Sequence, residues 1–272
     1  MNWLLVLGLS LFSSCSNTKG QSYTASTPAG LTIRSFLGIA AHDSIDFIRW
    51  QLSIDDTRFR LTCNYGIGKP NTNGFIDGGN NVAFTGACKQ EPEYITLQYD
   101  NREIRLQRIN ENLLHFVDDN NQLMAGNGGW SYTLNNVVAD KSGRIRVKSV
   151  QHQFKDSSVY IGRTPCGVPG ILPKGQPCYK LKWKLVLYAN KKGNPTTFRI
   201  FATNWRTDGG KTGKWEINTT KNGPIVYNLF DETGNHLLQF IKADDSILFF
   251  TDKKEILLTG DEDFSYTLNK TE

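Results

Sequence analysis

The chain has 272 residues, a formal charge of +5, and side chains that are 39% hydrophobic and 21% charged. That balance excludes an intrinsically disordered chain, a collagen and a multi-span membrane protein. With 25 glycines and no charged runs, the composition suits a turn-rich β protein, and the length allows one large domain or two ordinary ones.

Residues Met1–Ser14 carry no charge, and Trp3–Phe12 is almost continuously apolar. A run this short does not span a bilayer as a helix; it has the length of a signal-peptide core. Ser13-Ser14-Cys15 resembles a bacterial lipobox, which implies cleavage after residue 14 and acylation of Cys15. The Ser/Thr/Gly-rich stretch 15–29 then reads as a polar tether. Ser16, in the second mature position, resembles outer-membrane sorting and a periplasmic orientation. All 31 basic and 26 acidic side chains follow the signal, and no dense Lys/Arg block points to nucleic acid.

Beyond the tether, no segment keeps a 3.6-residue apolar repeat over helix length, whereas period-two alternation is everywhere. Ile48, Trp50, Leu52 and Ile54 share one face, and Arg49, Gln51 and Ser53 the other. Cys63 shares parity with Phe59 and Leu61, and Cys88 with Val82 and Phe84. Both cysteines therefore point coreward, as a cross-strand bridge or as two buried thiols. Ile95, Leu97 and Tyr99 continue the alternation, with clusters such as Asp77-Gly78-Gly79-Asn80 as turns.

Residues 113–135 (LLHFVDDNNQLMAGNGGWSYTLN) recur without a gap as 247–269 (ILFFTDKKEILLTGDEDFSYTLN), at an offset of 134. Arg49-Trp50-Gln51-Leu52 answers Lys182-Trp183-Lys184-Leu185, and Phe36-Leu37-Gly38 is matched to Tyr160-Ile161-Gly162. The same series of strands is laid down twice. The expected fold is all-β: two tandem small antiparallel barrels, residues 30–138 and 142–272, divided in the polar stretch 139–143. Asp118 and Asp252 stand before hairpin turns, where a carboxylate bonds nearby amides. Cys166 and Cys178 flank an eleven-residue loop rich in Pro and Gly, and a bridge there is worth about 3 kcal/mol. Four cysteines in an oxidising compartment are expected to form two disulfides, Cys63–Cys88 and Cys166–Cys178.

In the second half, Val159-Tyr160-Ile161-Gly162-Arg163-Thr164-Pro165-Cys166 is followed by Gly213-Lys214-Trp215 and Leu248-Phe249-Phe250-Thr251-Asp252. This series resembles the N-terminal module of the copper-resistance lipoprotein NlpE family over residues 159–269, and more faintly over 36–135. The resemblance implies a lipocalin-like antiparallel barrel and an envelope lipoprotein. The family's Cys-x-x-Cys is missing, since Gly-Val-Pro-Gly follows Cys166.

Chemistry-bearing patterns are scarce. His42, His115, His152 and His236 are solitary, and carboxylates cluster at turns. Gly210-Lys211-Thr212 has the tail of a phosphate loop, but Trp205 occupies its upstream glycine position. No Gly-x-Ser-x-Gly, His-Glu-x-x-His or dinucleotide fingerprint occurs, so no catalytic residue, metal ligand or cofactor is expected. The expected role is a non-enzymatic envelope lipoprotein that binds, senses or scaffolds, held to a membrane by acyl chains, with an envelope protein as partner. A metal-handling protein and a carrier of a small apolar ligand are the alternatives. The Cys166–Cys178 loop offers Val168, Ile171 and Leu172 as a contact site for a partner, unless they plug their own barrel.

Overall fold

A computed structural model of the chain describes residues 20–139, 145–147, 156–172, 175–205, 209–219 and 223–271. The signal segment, Cys15 and the divide at 140–144 lie outside the described residues. Among the described residues, no helix is long and apolar enough to cross a membrane.

Sixteen antiparallel strands close into two eight-stranded barrels. The first contains β1 (Gln21–Thr27), β2 (Phe47–Ile54), β3 (Arg58–Gly66), β4 (Asn80–Gln90), β5 (Tyr94–Tyr99), β6 (Arg102–Arg108), β7 (Leu113–Phe116) and β8 (Thr133–Asn136). The second contains β9 (Ser157–Thr164), β10 (Leu181–Ala189), β11 (Pro195–Phe201), β12 (Lys211–Thr219), β13 (Ile225–Asp231), β14 (His236–Lys242), β15 (Ile247–Phe250) and β16 (Thr267–Lys270). Each strand pairs with its sequence neighbours, and the ends close as β1 on β8 and β9 on β16.

Alternation decides which side chains enter. Along β10, Leu181, Trp183, Leu185 and Leu187 are buried while Lys182 and Lys184 face out. Eight strands enclose a space just wide enough for side chains, and aromatic rings fill it. Trp50 and Phe116 meet at 4.9 Å in the first barrel, and Trp183 and Phe250 at 5.1 Å in the second. Each indole needs a buried acceptor for its N–H. Trp50 donates to Thr27 Oγ1 at 2.8 Å and Trp183 to Thr164 Oγ1 at 2.9 Å.

That equivalence corrects the expected start of the first barrel. Its opening strand is β1, inside the stretch read as a tether, and Thr27-Pro28-Ala29-Gly30 answers Thr164-Pro165-Cys166-Gly167. The matching of Phe36-Leu37-Gly38 to Tyr160-Ile161-Gly162 is therefore wrong. Residues 36 and 37 belong to a helix, α1 (Leu31–Leu37), that follows the strand equivalent to β9.

Both barrels are stoppered directly after this Thr-Pro corner. In the first, α1 buries Ile33, Phe36 and Leu37 in the core, with Phe36 set 5.6 Å from Phe84. Gly38 ends the helix in the left-handed region at φ 72°, where a side chain is disfavoured. In the second barrel the corresponding segment carries Pro169, which opposes a helix. Its described residues form no helix, and the Cys166–Cys178 disulfide ties its ends. Val168 and Ile171 are each only 4% exposed in the core of the second barrel, with half-buried Leu172 packed against it. These residues stopper their own barrel, so the contact-site expectation for Val168, Ile171 and Leu172 is corrected.

The second expected disulfide is also corrected: Cys63 and Cys88 are free, buried thiols. Cys63 lies opposite Val82 across the β3–β4 pair. Cys88 stands six residues further along β4, roughly 20 Å away along the strand, and a bridge needs Cα atoms within about 7 Å. Burial raises both thiols, Cys88 to about 11 and Cys63 well above its ordinary range. Each is therefore protonated and unreactive near neutral pH.

Candidate functional site

The two barrels meet along β7, β8, β15 and β16, and the repeated Ser-Tyr-Thr-Leu-Asn ending makes the seam. Its tyrosine and leucine point into their own barrel, as buried Tyr132, Leu134, Tyr266 and Leu268. Its serine, threonine and asparagine point at the other barrel. Ser131 bonds Ser265 at 2.5 Å and Thr133 bonds Thr267 at 3.1 Å, like residue to like. Asn269 Oδ1 accepts the Gly126 N–H at 2.7 Å, and Asn135 Oδ1 accepts the Gly260 N–H at 2.8 Å. The junction has the symmetry of a two-fold dimer built within one chain. Ile109, Leu113, Val117 and Leu123 meet Ile241, Ile247, Phe249 and Leu257 beside it.

One position breaks the symmetry with a titratable group. Where the second barrel has Phe249, the first has His115, wholly buried and edge-on to that phenyl ring at 6.0 Å. His115 Nε2 lies 2.9 Å from the Met124 carbonyl and Nδ1 lies 2.9 Å from Thr133 Oγ1. A carbonyl only accepts, so Nε2 carries the proton and Nδ1 accepts from Thr133. Thr133 then accepts from Thr267, Thr267 from Ser265 at 2.9 Å, and Ser265 from Ser131. Every hydroxyl proton in this buried chain is used. Burial drops His115 to about 4, so the ring is neutral near pH 7.

At one edge of the seam, aromatic rings and cations stack across the two barrels. Phe75 and Phe47 stack at 4.3 Å and Phe47 and Trp130 at 4.7 Å, all from the first barrel. Arg163, on β9 of the second, places its guanidinium 5.4 Å from the Trp130 ring centre. Arg49 pairs with Asp263 at 2.5 Å and donates to the Asn73 carbonyl at 2.7 Å. The Asn73 amide takes the other oxygen of Asp263. A cavity of about 210 Å³ opens beside this stack, lined by Asp46, Trp130, Arg163, Lys180, Asp263 and Phe264 among others. A broader groove of about 950 Å³ runs over the outside of the second barrel, between Tyr188, Arg199, Lys214 and Phe230.

The motif residues weighed in the sequence fall where structure needs them. Asp118 Oδ1 accepts from the Asn120 and Gln122 amides, and Asp252 Oδ1 from those of Lys254 and Ile256. His42 is exposed and His236 half-buried, while His152 lies outside the described residues. Among the described residues, no three His, Cys, Asp or Glu side chains converge as a metal site would require. The sequence reading missed the stack, because Phe47, Phe75, Trp130 and Arg163 are far apart in the chain and share no spacing. Compared with known proteins, the chain matches no family model, no curated protein and no solved structure.

Proposed function

We propose that this chain is an envelope lipoprotein acylated at Cys15, facing the periplasm from the outer membrane, and working without catalysis as a binding or scaffold module for another envelope protein. The lipobox-like Ser13-Ser14-Cys15 and the NlpE-like order of strands support the address. The observation that carries the role is the state of the two interiors. Both are occupied by the chain's own rings, and each end behind the Thr-Pro corner is stoppered by α1 or by the disulfide loop. A carrier of an apolar ligand uses a concave, enclosed apolar volume. Among the described residues, the grooves named above lie on the outer face of the second barrel and at the seam, which favours recognition by surface over carriage. Copper handling, the reading implied by the resemblance, lacks the Cys-x-x-Cys that would support it.

Labelling cells with an alkyne fatty acid tests the anchor: the wild-type chain incorporates the probe and fractionates with outer membranes, and Cys15→Ser abolishes both. Labelling that survives the substitution refutes acylation at Cys15. For the partner, a photo-crosslinking residue in place of exposed Tyr188 or Lys184 should recover one defined envelope protein. Crosslinks to none refute the docking role of that face. A fluorescent apolar probe that binds stoichiometrically in a barrel would overturn the whole reading.

A further inference from the structure

We propose that the cavity at the edge of the seam is an anion site, in which Arg163 and Lys180 bind the phosphate group of a small ligand. This inference stands apart from the envelope role and does not need it. Two cations, Arg163 and Lys180, line the same small cavity. Among the described residues, neither forms an ion pair with a carboxylate or donates a hydrogen bond; their contacts are with rings. Arg163 lies over Trp130, and Lys180 sits 4.9 Å from the Tyr179 ring centre and 5.3 Å from that of Phe264. Two carboxylates line the cavity beside them: Asp263 is held by Arg49 and Asn73, and Asp46 accepts the Gly68 N–H.

Both groups are partly withdrawn from water, which disfavours the charge on each; Arg163 and Lys182 further repel Lys180, and Asp263 attracts it. A ring face offsets part of that cost but leaves the N–H donors unused. A bound anion would offset the remaining cost. A guanidinium fork beside an ammonium matches an oxyanion with several acceptor oxygens. The volume, about 210 Å³, falls below the roughly 300–1,000 Å³ of pockets that enclose drug-sized ligands. It admits a phosphate with a small substituent. Phe47 stacks on Trp130 and Arg163 lies over it. Lys182, paired across the ladder with Arg163, and Lys184 lie exposed on the neighbouring strand, where they raise the local concentration of anions.

Arg163 belongs to the second barrel and Trp130 to the first, so the stack itself crosses the edge of the seam.

The test uses the purified full chain titrated with inorganic phosphate at constant ionic strength, against chloride, reading the melting temperature and Trp130 fluorescence, the latter as the difference from Trp130→Phe. Vesicles of phosphatidic acid in phosphatidylcholine form a second arm. Saturable stabilisation by phosphate is expected, with Lys180→Gln weakening it by about tenfold, the worth of one charge-assisted contact. Lys180→Gln leaves the Arg163–Trp130 stack in place, which separates loss of binding from loss of the fold. Saturation by free phosphate identifies a small ligand. Binding to vesicles alone, lost in Lys180→Gln, identifies a lipid headgroup phosphate. No saturable response in either arm overturns the site, and so does a response that Lys180→Gln and the double variant with Arg163→Gln leave unchanged.

Discussion

Acidification should weaken the seam through His115, by an amount fixed by its burial. The ring's pKa is about 4 in the folded chain and about 6.5 when unfolded. A base whose folded pKa is depressed binds fewer protons folded than unfolded. Stability is therefore complete above pH 6.5, falls as the pH drops from 6.5 to 4, and levels off below. At about 1.4 kcal/mol per pH unit, the loss reaches about 3 kcal/mol by pH 4. Protonation would also give Nδ1 a proton where Thr133 donates its own, breaking the hydroxyl chain that runs to Ser131. Other groups titrate in this range, so the reference is His115→Phe, which installs the residue that the second barrel carries at Phe249. Urea denaturation of both proteins from pH 7.5 to 4 isolates the histidine. The wild type should lose about 3 kcal/mol more than the variant over that interval. Parallel pH profiles would refute the buried neutral ring.

Thiol titration without reductant should find Cys63 and Cys88 silent in the folded chain and reactive once it is denatured; silence in both states would mean that they are bridged. Replacing buried Ile171 and half-buried Leu172 by Ser should cost about 2–5 kcal/mol, as emptying a core site does, and unchanged thermal stability would return the loop to the surface. Reducing Cys166–Cys178 should destabilise the second barrel by about 3 kcal/mol and leave the Trp50 environment of the first unaltered, as tryptophan fluorescence of single-tryptophan variants would report. Gly126→Ala should destabilise the seam, since a Cβ there would lie 2.2 Å from the Trp130 carbonyl; a variant as stable as wild type would show that the hairpin can move away.

Inward-facing residues were plain in the sequence because alternation separates the two faces of a strand. It does not reveal what covers the outer face. Alternation puts Ser131, Thr133 and Asn135 on the outer face, and all three are buried against the other barrel. The same blindness hid β1, whose sequence QSYTAST looks like a tether. Its outer Ser26 is only 5% exposed, donating to the Glu262 carbonyl of the second barrel at 2.8 Å. Neither Gly126 nor Gly260 has a positive φ; both are glycine because backbone approaches too closely for a Cβ. Equal parity likewise placed Cys63 and Cys88 coreward without revealing their positions along the strands. Of the candidate site, the paired Ser-Tyr-Thr-Leu-Asn endings were legible as a repeat, and their mutual contact was not.

The joining of two filled barrels along their repeated endings is tested most directly by a covalent bond across it. In the double variant Ser131→Cys with Ser265→Cys, the new thiols replace hydroxyls already in hydrogen-bond contact. Mild oxidation of the folded protein should form the 131–265 disulfide quantitatively, seen as one crosslinked peptide by mass spectrometry, with the monomer retained. Two free thiols after oxidation, or crosslinks only between molecules, would contradict the seam.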